Sequence, residues 1–205
     1  MRPNVNLPRV ENPRGSWVGL SYAVACYVLG QGAFIYFILF LNDFWVPKGV
    51  SEGEPKPVLV TLALNAGLVS VWALQHSVMA RRGFKERWTR LVPSHVERAT
   101  YVLASGAALM LVMVAWTPVE GVVWDVESRV TRLFIFGVQG AAWLMLLGAS
   151  FEIDHYGTFG LKQPLYALQC HEPAPIDFQV KRIYRVVRHP IGTEIFIGMC
   201  AAPPV

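Results

Sequence analysis

The chain has 205 residues, of which 54% are hydrophobic and 16% charged, with a formal net charge of +4. Apolar content this high with so few charges argues against a soluble enzyme, and with no repeat or low-complexity tract the whole length, 1–205, reads as one domain. The positive balance does not argue for nucleic acid, because the basic residues flank apolar runs, where anionic lipid headgroups attract them.

Four runs are long and apolar enough to cross a bilayer, which takes about 20 residues: 17–41, 58–79, 101–116 and 133–151. The first exceeds the roughly 7–15 residues of a secretory signal core and is followed by no small-residue cleavage site, so it is expected to be a retained helix. A fifth stretch, 191–205, follows Pro190 but contains Glu194 and meets Pro203 and Pro204, which makes it a partial span. The fold class expected is all-α, a polytopic transmembrane helix bundle with four clear spans and a partial fifth.

Basic residues fix the expected orientation. Arg2, Arg9 and Arg14 lie in the N-terminal tail, six Lys and Arg lie between 81 and 98, and five between 162 and 188. The other two loops hold only Lys48, Lys56, Arg129 and Arg132. The N-terminus and the long loop 152–189 are therefore expected to be cytoplasmic.

In the second span, Asn65, Trp72 and His76 fall on one narrow stripe, with Gln75 beside it. Lipid cannot satisfy such groups, so this face is expected to turn toward other helices or a wet cavity. Asn65 reads as interhelical glue. His76, close to the cytoplasmic end, is equally a site residue or a snorkelling one. Phe84, Trp88 and Leu91 recur at helical spacing among basic residues, which predicts an amphipathic interfacial helix over 82–91 ended by Pro93. Ser94 and Glu97 then have the spacing of a capping box at the start of the third transmembrane helix.

The loop after the fourth span opens with Asp154, His155 and Tyr156 and is broken by Pro164, Pro173 and Pro175. Asp154 and His155 mark the water boundary or line a cofactor pocket; composition favours the boundary. Cys170 and His171 read as loop residues, and the three cysteines have neither disulfide nor metal-ligand spacing. Before the last apolar stretch, Val180, Ile183, Tyr184 and Val187 share one helical face while Lys181, Arg185 and Arg188 share another, a basic amphipathic entry to the membrane. Arg188, His189 and Pro190 follow, with the proline suited to a first helical position, and a helix start carrying Arg and His makes an anion site.

Taken together, several of these segments resemble one family. The run Gln75-His76-Ser77-Val78-Met79-Ala80-Arg81, then Phe84-Lys85, Trp88, Pro93, Glu97-Arg98 and Tyr101, is similar to the methanethiol S-methyltransferases. So are Ile153-Asp154-His155, Phe159-Gly160-Leu161 and Tyr184-Arg185-Val186-Val187-Arg188-His189-Pro190. That family looks related to the isoprenylcysteine carboxyl methyltransferases and to membrane proteins associated with nitrite and nitric oxide reduction. The Arg-His-Pro step belongs to the wider group; the Gln-His-Ser-Val-Met-Ala-Arg run is narrower and carries the assignment.

The resemblance implies methyl transfer from S-adenosylmethionine to methanethiol, a small thiol, in a multi-pass protein of a bacterial inner (plasma) membrane. It implies His76 and His189 as catalytic, and Tyr184, Arg188, His189, Pro190, Asp154 and His155 as binding the methyl donor, with no metal. The acceptor reacts as a thiolate, which a nearby base favours. The sequence leaves the oligomeric state unknown. Beyond Pro190 the chain reads Ile191-Gly192-Thr193-Glu194-Ile195 where the wider family continues with a step containing Tyr and Gly, then a helix and an acidic stretch. Read as a truncation or frameshift, this departure predicts a donor pocket without its closing part and weak binding of S-adenosylmethionine. Carboxyl methylation of a prenylated cysteine, and a non-catalytic membrane protein linked to denitrification, stand as alternatives.

Overall fold

The computed structural model describes residues 13–119, 121, 126–169 and 190–201. They form helices α1 (Pro13–Leu41), α2 (Val58–Ala80), α3 (Arg82–Trp88), α4 (Ser94–Ala115), α5 (Arg129–Ile153), α6 (His155–Thr158), α7 (Lys162–Leu168) and α8 (Pro190–Cys200), with no strand among the described residues. Four helices, α1, α2, α4 and α5, are long and apolar enough to cross a membrane, as expected. At 1.5 Å per residue even the 22 residues of α4 reach about 33 Å, enough for a hydrocarbon core of about 30 Å. The 11 residues of α8 reach only about half of that. Most of their large apolar side chains remain on the outside, as a lipid-facing surface requires.

Without a hydrophobic drive between helices in lipid, small residues and hydrogen bonds must hold the bundle together. Helices α1 and α4 run parallel and provide the principal contact. Gly19 lies against His95 and Val96, Gly30 against Val102, and Gly106 against the Gly30 backbone. Buried Ala23, Cys26 and Ala99 fill the space between. Further along, Phe40 meets Trp116 edge to face at 6.2 Å. Lys48 closes that end by donating to the carbonyls of Val114 at 2.6 Å and Trp116 at 2.8 Å, which α4 leaves unpaired at its C-terminus.

Helix α2 lies antiparallel on the other side of α4. Asn65, buried, donates to the Thr117 carbonyl at 2.7 Å and accepts from the Thr117 amide at 3.1 Å, so it ties α2 to the end of α4 as the glue expected of it. Replacing Asn65 by Leu strands both backbone groups of Thr117. The expected cost is about 1–3 kcal/mol, read as a lowered unfolding midpoint in detergent.

Helix α5 meets α1 through Phe34 against Trp143 (5.7 Å) and the segment just after α1 through Phe44 stacked on Phe136 (5.7 Å). It carries α8, whose Gly198 carbonyl accepts from Gln139 Nε2 at 3.0 Å. Gly198 itself lies so close to the Trp143 indole that no larger residue fits there. Pro190 opens α8, as its missing amide predicts.

Three local expectations are corrected. The capping box does not form: Ser94 is already the first helical residue, Pro93 precedes it in extended backbone, and no side chain caps the helix. Glu97 instead faces Lys85 at 3.9 Å. The interfacial helix stops at Trp88, with Phe84 and Trp88 packed against Met79, Tyr101 and Val102, while Leu91 lies beyond it, 80% exposed. Finally, the loop after α5 is not broken at Pro164, which sits in the first turn of α7, where a missing amide costs nothing.

Candidate functional site

The alternation of the long helices gathers the start of α1, the end of α2, the start of α4 and the end of α5 at one end of the bundle. Helices α3, α6 and α7 cover that same end. Three described histidines lie there: His95 in the first turn of α4, against Gly19, and His76 and His155, which stand in different surroundings.

His76 sits one turn before the end of α2, about 6 Å inside it. Its ring stacks on Trp72 (centroids 5.3 Å apart) and reaches across to α4. There the Tyr101 hydroxyl lies 3.0 Å from Nε2 and 3.1 Å from Nδ1, and Ser105 Oγ lies 3.2 Å from Nδ1. The stripe expected on α2 therefore does face another helix. His76 is held by two hydroxyls and is itself exposed. Tyr101 is buried, and the Arg98 guanidinium lies over its ring at 5.1 Å. Arg98 in turn donates from Nε to the Thr158 carbonyl at 2.7 Å, in the α6 turn.

His155 opens that turn and is 4% exposed. Phe151 stacks on it at 4.3 Å, and Phe159, Tyr156 and Tyr27 pack around it. Proton inventory assigns its tautomer. Ser150 Oγ lies 2.8 Å from Nδ1 and gives its own proton to the Leu147 carbonyl at 2.7 Å, so Nδ1 carries the hydrogen and donates to Ser150. Nε2 then accepts from the Tyr27 hydroxyl at 2.9 Å. A neutral imidazole is thus fully satisfied, and burial pushes its pKa below the ordinary 6.5, against a smaller opposing pull from Asp154.

The sign of the pH effect follows. Above pH 6.5 neither the folded nor the unfolded chain protonates this group. Below it the unfolded chain binds the proton first, so folding stability falls as pH drops. Unfolding midpoints in detergent are expected to decline from pH 6.5 to 5, with the contribution from this group absent in the His155→Gln variant.

Asp154 is a local anchor of this turn. Its Oδ1 accepts from the Gly157 amide at 3.1 Å, capping α6, and from Lys162 Nζ at 2.7 Å. That hydrogen bond raises the pKa of Lys162. Tyr184, Arg188 and His189 lie outside the described residues, as do Cys170 and His171, and Pro190 is placed only as the first residue of α8. Among the described residues no cluster of His, Cys, Asp or Glu could hold a metal ion.

The structure therefore joins the His76 region to the Asp154–His155 region through Tyr101, Arg98 and Thr158. Sequence reasoning did not assign roles to Tyr101, Ser105, Ser150 or Tyr27. Two of them carried a signal: Tyr101 and Ser105 are four residues apart, which puts two hydroxyls on one face of α4. Glu194, the charge that interrupts the last apolar stretch, is 3% exposed with both carboxylate oxygens unpartnered among the described residues.

The chain is 34% identical over 184 residues to a methanethiol S-methyltransferase of Crocosphaera subtropica, a match that covers 90% of this chain and 72% of that one. It is 37% identical over 187 residues to a methanethiol S-methyltransferase of Mycobacterium tuberculosis, covering 91% and 77%. It is also 26% identical over 202 residues to nurim of Rattus norvegicus, covering 88% and 77%. No family model and no solved structure matches.

Proposed function

The chain belongs to the methanethiol S-methyltransferase family, and from that premise we propose that it methylates methanethiol with S-adenosylmethionine, giving dimethyl sulfide and S-adenosylhomocysteine. The observation that supports this reading is His76: an imidazole with a partly open ring, held by Tyr101 and Ser105 within the narrow Gln75–Arg81 motif, just inside one end of the bundle.

His76 takes the thiol proton, and the thiolate sulfur forms its new bond to the methyl carbon. The carbon–sulfonium bond breaks with its electron pair going to the departing sulfur. Attack of this kind gains most from positioning and from exclusion of water. A small apolar thiol partitions into lipid, and an imidazole about 6 Å from the end of α2 meets it where hydrocarbon gives way to headgroups.

On the donor side, Arg188 and His189, which precede Pro190 in the sequence, are by their chemistry suited to hold the amino-acid carboxylate, with His189 as a second candidate base and Tyr184 as a further donor-binding candidate. Asp154 keeps Oδ2 for a ribose hydroxyl, while His155, with both nitrogens engaged, positions the α6 turn on which Asp154 stands. The concentration of Lys and Arg in the loops at this end favours a cytoplasmic setting for it, and a bacterial inner membrane suits the protein.

Membranes carrying the chain, given methanethiol and methyl-labelled S-adenosylmethionine at saturation, are expected to release labelled dimethyl sulfide. Labelled product only with a prenylcysteine acceptor, or no labelled product at all, would overturn the reading.

A further inference from the structure

We propose that the chain also methylates apolar alkanethiols larger than methanethiol, because the acceptor reaches His76 sideways from the bilayer, through an opening that sets no limit on its alkyl chain. This inference rests on the reading of His76 as the base.

His76 is exposed, yet it is also held by Tyr101 and Ser105 across the seam to α4. Its angular position on α2 accounts for both. The buried residues of α2 are Thr61, Asn65 and Met79, which mark the stripe that faces inward. At 3.6 residues per turn, Asn65 stands about 20° to one side of His76, and Thr61 and Met79 about 60° to that same side. Val69 and Leu62, seven and fourteen residues before it, stand about 20° and 40° to the other side. They are 44% and 51% exposed. His76 is therefore at the boundary between the stripe that packs on α4 and the face that meets hydrocarbon. Trp72 and Tyr101 lie against its ring at 5.3 and 5.2 Å, which leaves the opening on the side of Val69 and Leu62. At about 6 Å inside the end of α2, that side looks into the bilayer.

A thiol dissolved in hydrocarbon can bring its sulfhydryl to this edge while its alkyl chain stays in the lipid. Added methylenes then remain in the solvent from which the thiol came, and no pocket has to grow to admit them. The step is the same for every chain length. His76 takes the thiol proton, the sulfur bonds the methyl carbon, and the donor's carbon–sulfonium bond breaks with its electron pair going to the departing sulfur. An alkyl methyl sulfide leaves into the same lipid.

The test measures methyl sulfide formation by the full chain in membranes, at saturating S-adenosylmethionine, from methanethiol, ethanethiol, propanethiol and butanethiol. Along this series kcat is expected to stay within about threefold. KM, counted on aqueous concentration, is expected to fall about fourfold for each added methylene, as partition into lipid concentrates the acceptor. 2-Mercaptoethanol is close to propanethiol in size, but its hydroxyl holds it in water, and its kcat/KM is expected to be about 100-fold lower. Ala80→Phe probes the opening itself. Ala80 is exposed one turn after His76, and helical side chains lean back toward the N-terminus, so a ring there covers the lipid side of the imidazole. It is expected to lower kcat/KM about tenfold for butanethiol and less than about threefold for methanethiol. Three results would each overturn the inference and leave the reading of His76 standing: ethanethiol more than about tenfold poorer than methanethiol, 2-mercaptoethanol equal to propanethiol, or Ala80→Phe acting equally on methanethiol and butanethiol. No product from methanethiol or any other thiol would overturn the reading, and the inference with it.

Discussion

Replacing His76 by alanine is expected to lower the rate of dimethyl sulfide formation by about 10²–10⁴-fold, the usual contribution of a positioned general base. The thiol, not its conjugate base, is what dissolves in the hydrocarbon region, and the thiolate is what reacts. Proton removal must therefore accompany capture of the acceptor, at a place where water is scarce. His76 is the described imidazole with an open edge one turn inside α2, since His155 has both nitrogens bonded to Ser150 and Tyr27 and no lone pair to offer, and His95 stands in the first turn of α4, about 9 Å along the helix from Tyr101. The loss should appear in kcat, with the dissociation constant for S-adenosylmethionine measured by calorimetry unchanged, because His76 faces α4 and not the start of α8. Raising the pH should recover part of the lost rate by ionising the thiol without help. A His76→Ala variant as active as the wild type would remove the base from the mechanism and leave His189 as the candidate.

The four spans were legible because length and apolarity are properties of the sequence alone, and lipid demands both. Asn65 was legible for the same reason: an amide in hydrocarbon must find a partner, and Thr117 is that partner. His76 was legible as a residue that must face inward, but not which hydroxyls would meet it, since Tyr101 and Ser105 are 25 and 29 positions away and only the crossing of α2 on α4 pairs them. The Ser94–Glu97 capping box failed because its spacing requires Ser94 as the cap, whereas Pro93 takes that position and the helix starts one residue early, at Ser94 itself. His155 was hardest to read. Position at the end of an apolar span suggests the water boundary, yet Phe151, Phe159 and Tyr27 enclose it, and that enclosure depends on the turn of α6 folding back over α1.

Gly106→Leu is expected to be the most damaging substitution for the scaffold, at about 3 kcal/mol of unfolding free energy in detergent. At this crossing a Cβ on Gly106 would sit 3.2 Å from the Gly30 backbone, and a Cβ on Gly30 would meet Val102 Cγ1 at 2.5 Å. Neither obstacle is a flexible side-chain end: one is backbone and the other is a β-branched residue with a stiff χ1. Relief therefore requires α1 and α4 to separate, which loosens the buried packing of Ala23, Cys26 and Ala99 along the same seam. Overpacking of a dense interface costs about 1–3 kcal/mol, and this one is the principal contact of the bundle, so the upper end applies. The control is Gly67→Leu on α2, where nothing lies within 4 Å of an added Cβ and the face is exposed. There the substitution should be neutral or stabilising by up to about 1 kcal/mol, because leucine favours a helix over glycine. Equal midpoints for the two variants would show that α1 and α4 are not held by close backbone approach. A lower midpoint for Gly106→Leu alone, accompanied by loss of methyl transfer, would tie the seam to the site, since Tyr101 and Ser105 stand on the same helix α4 within five residues of Gly106.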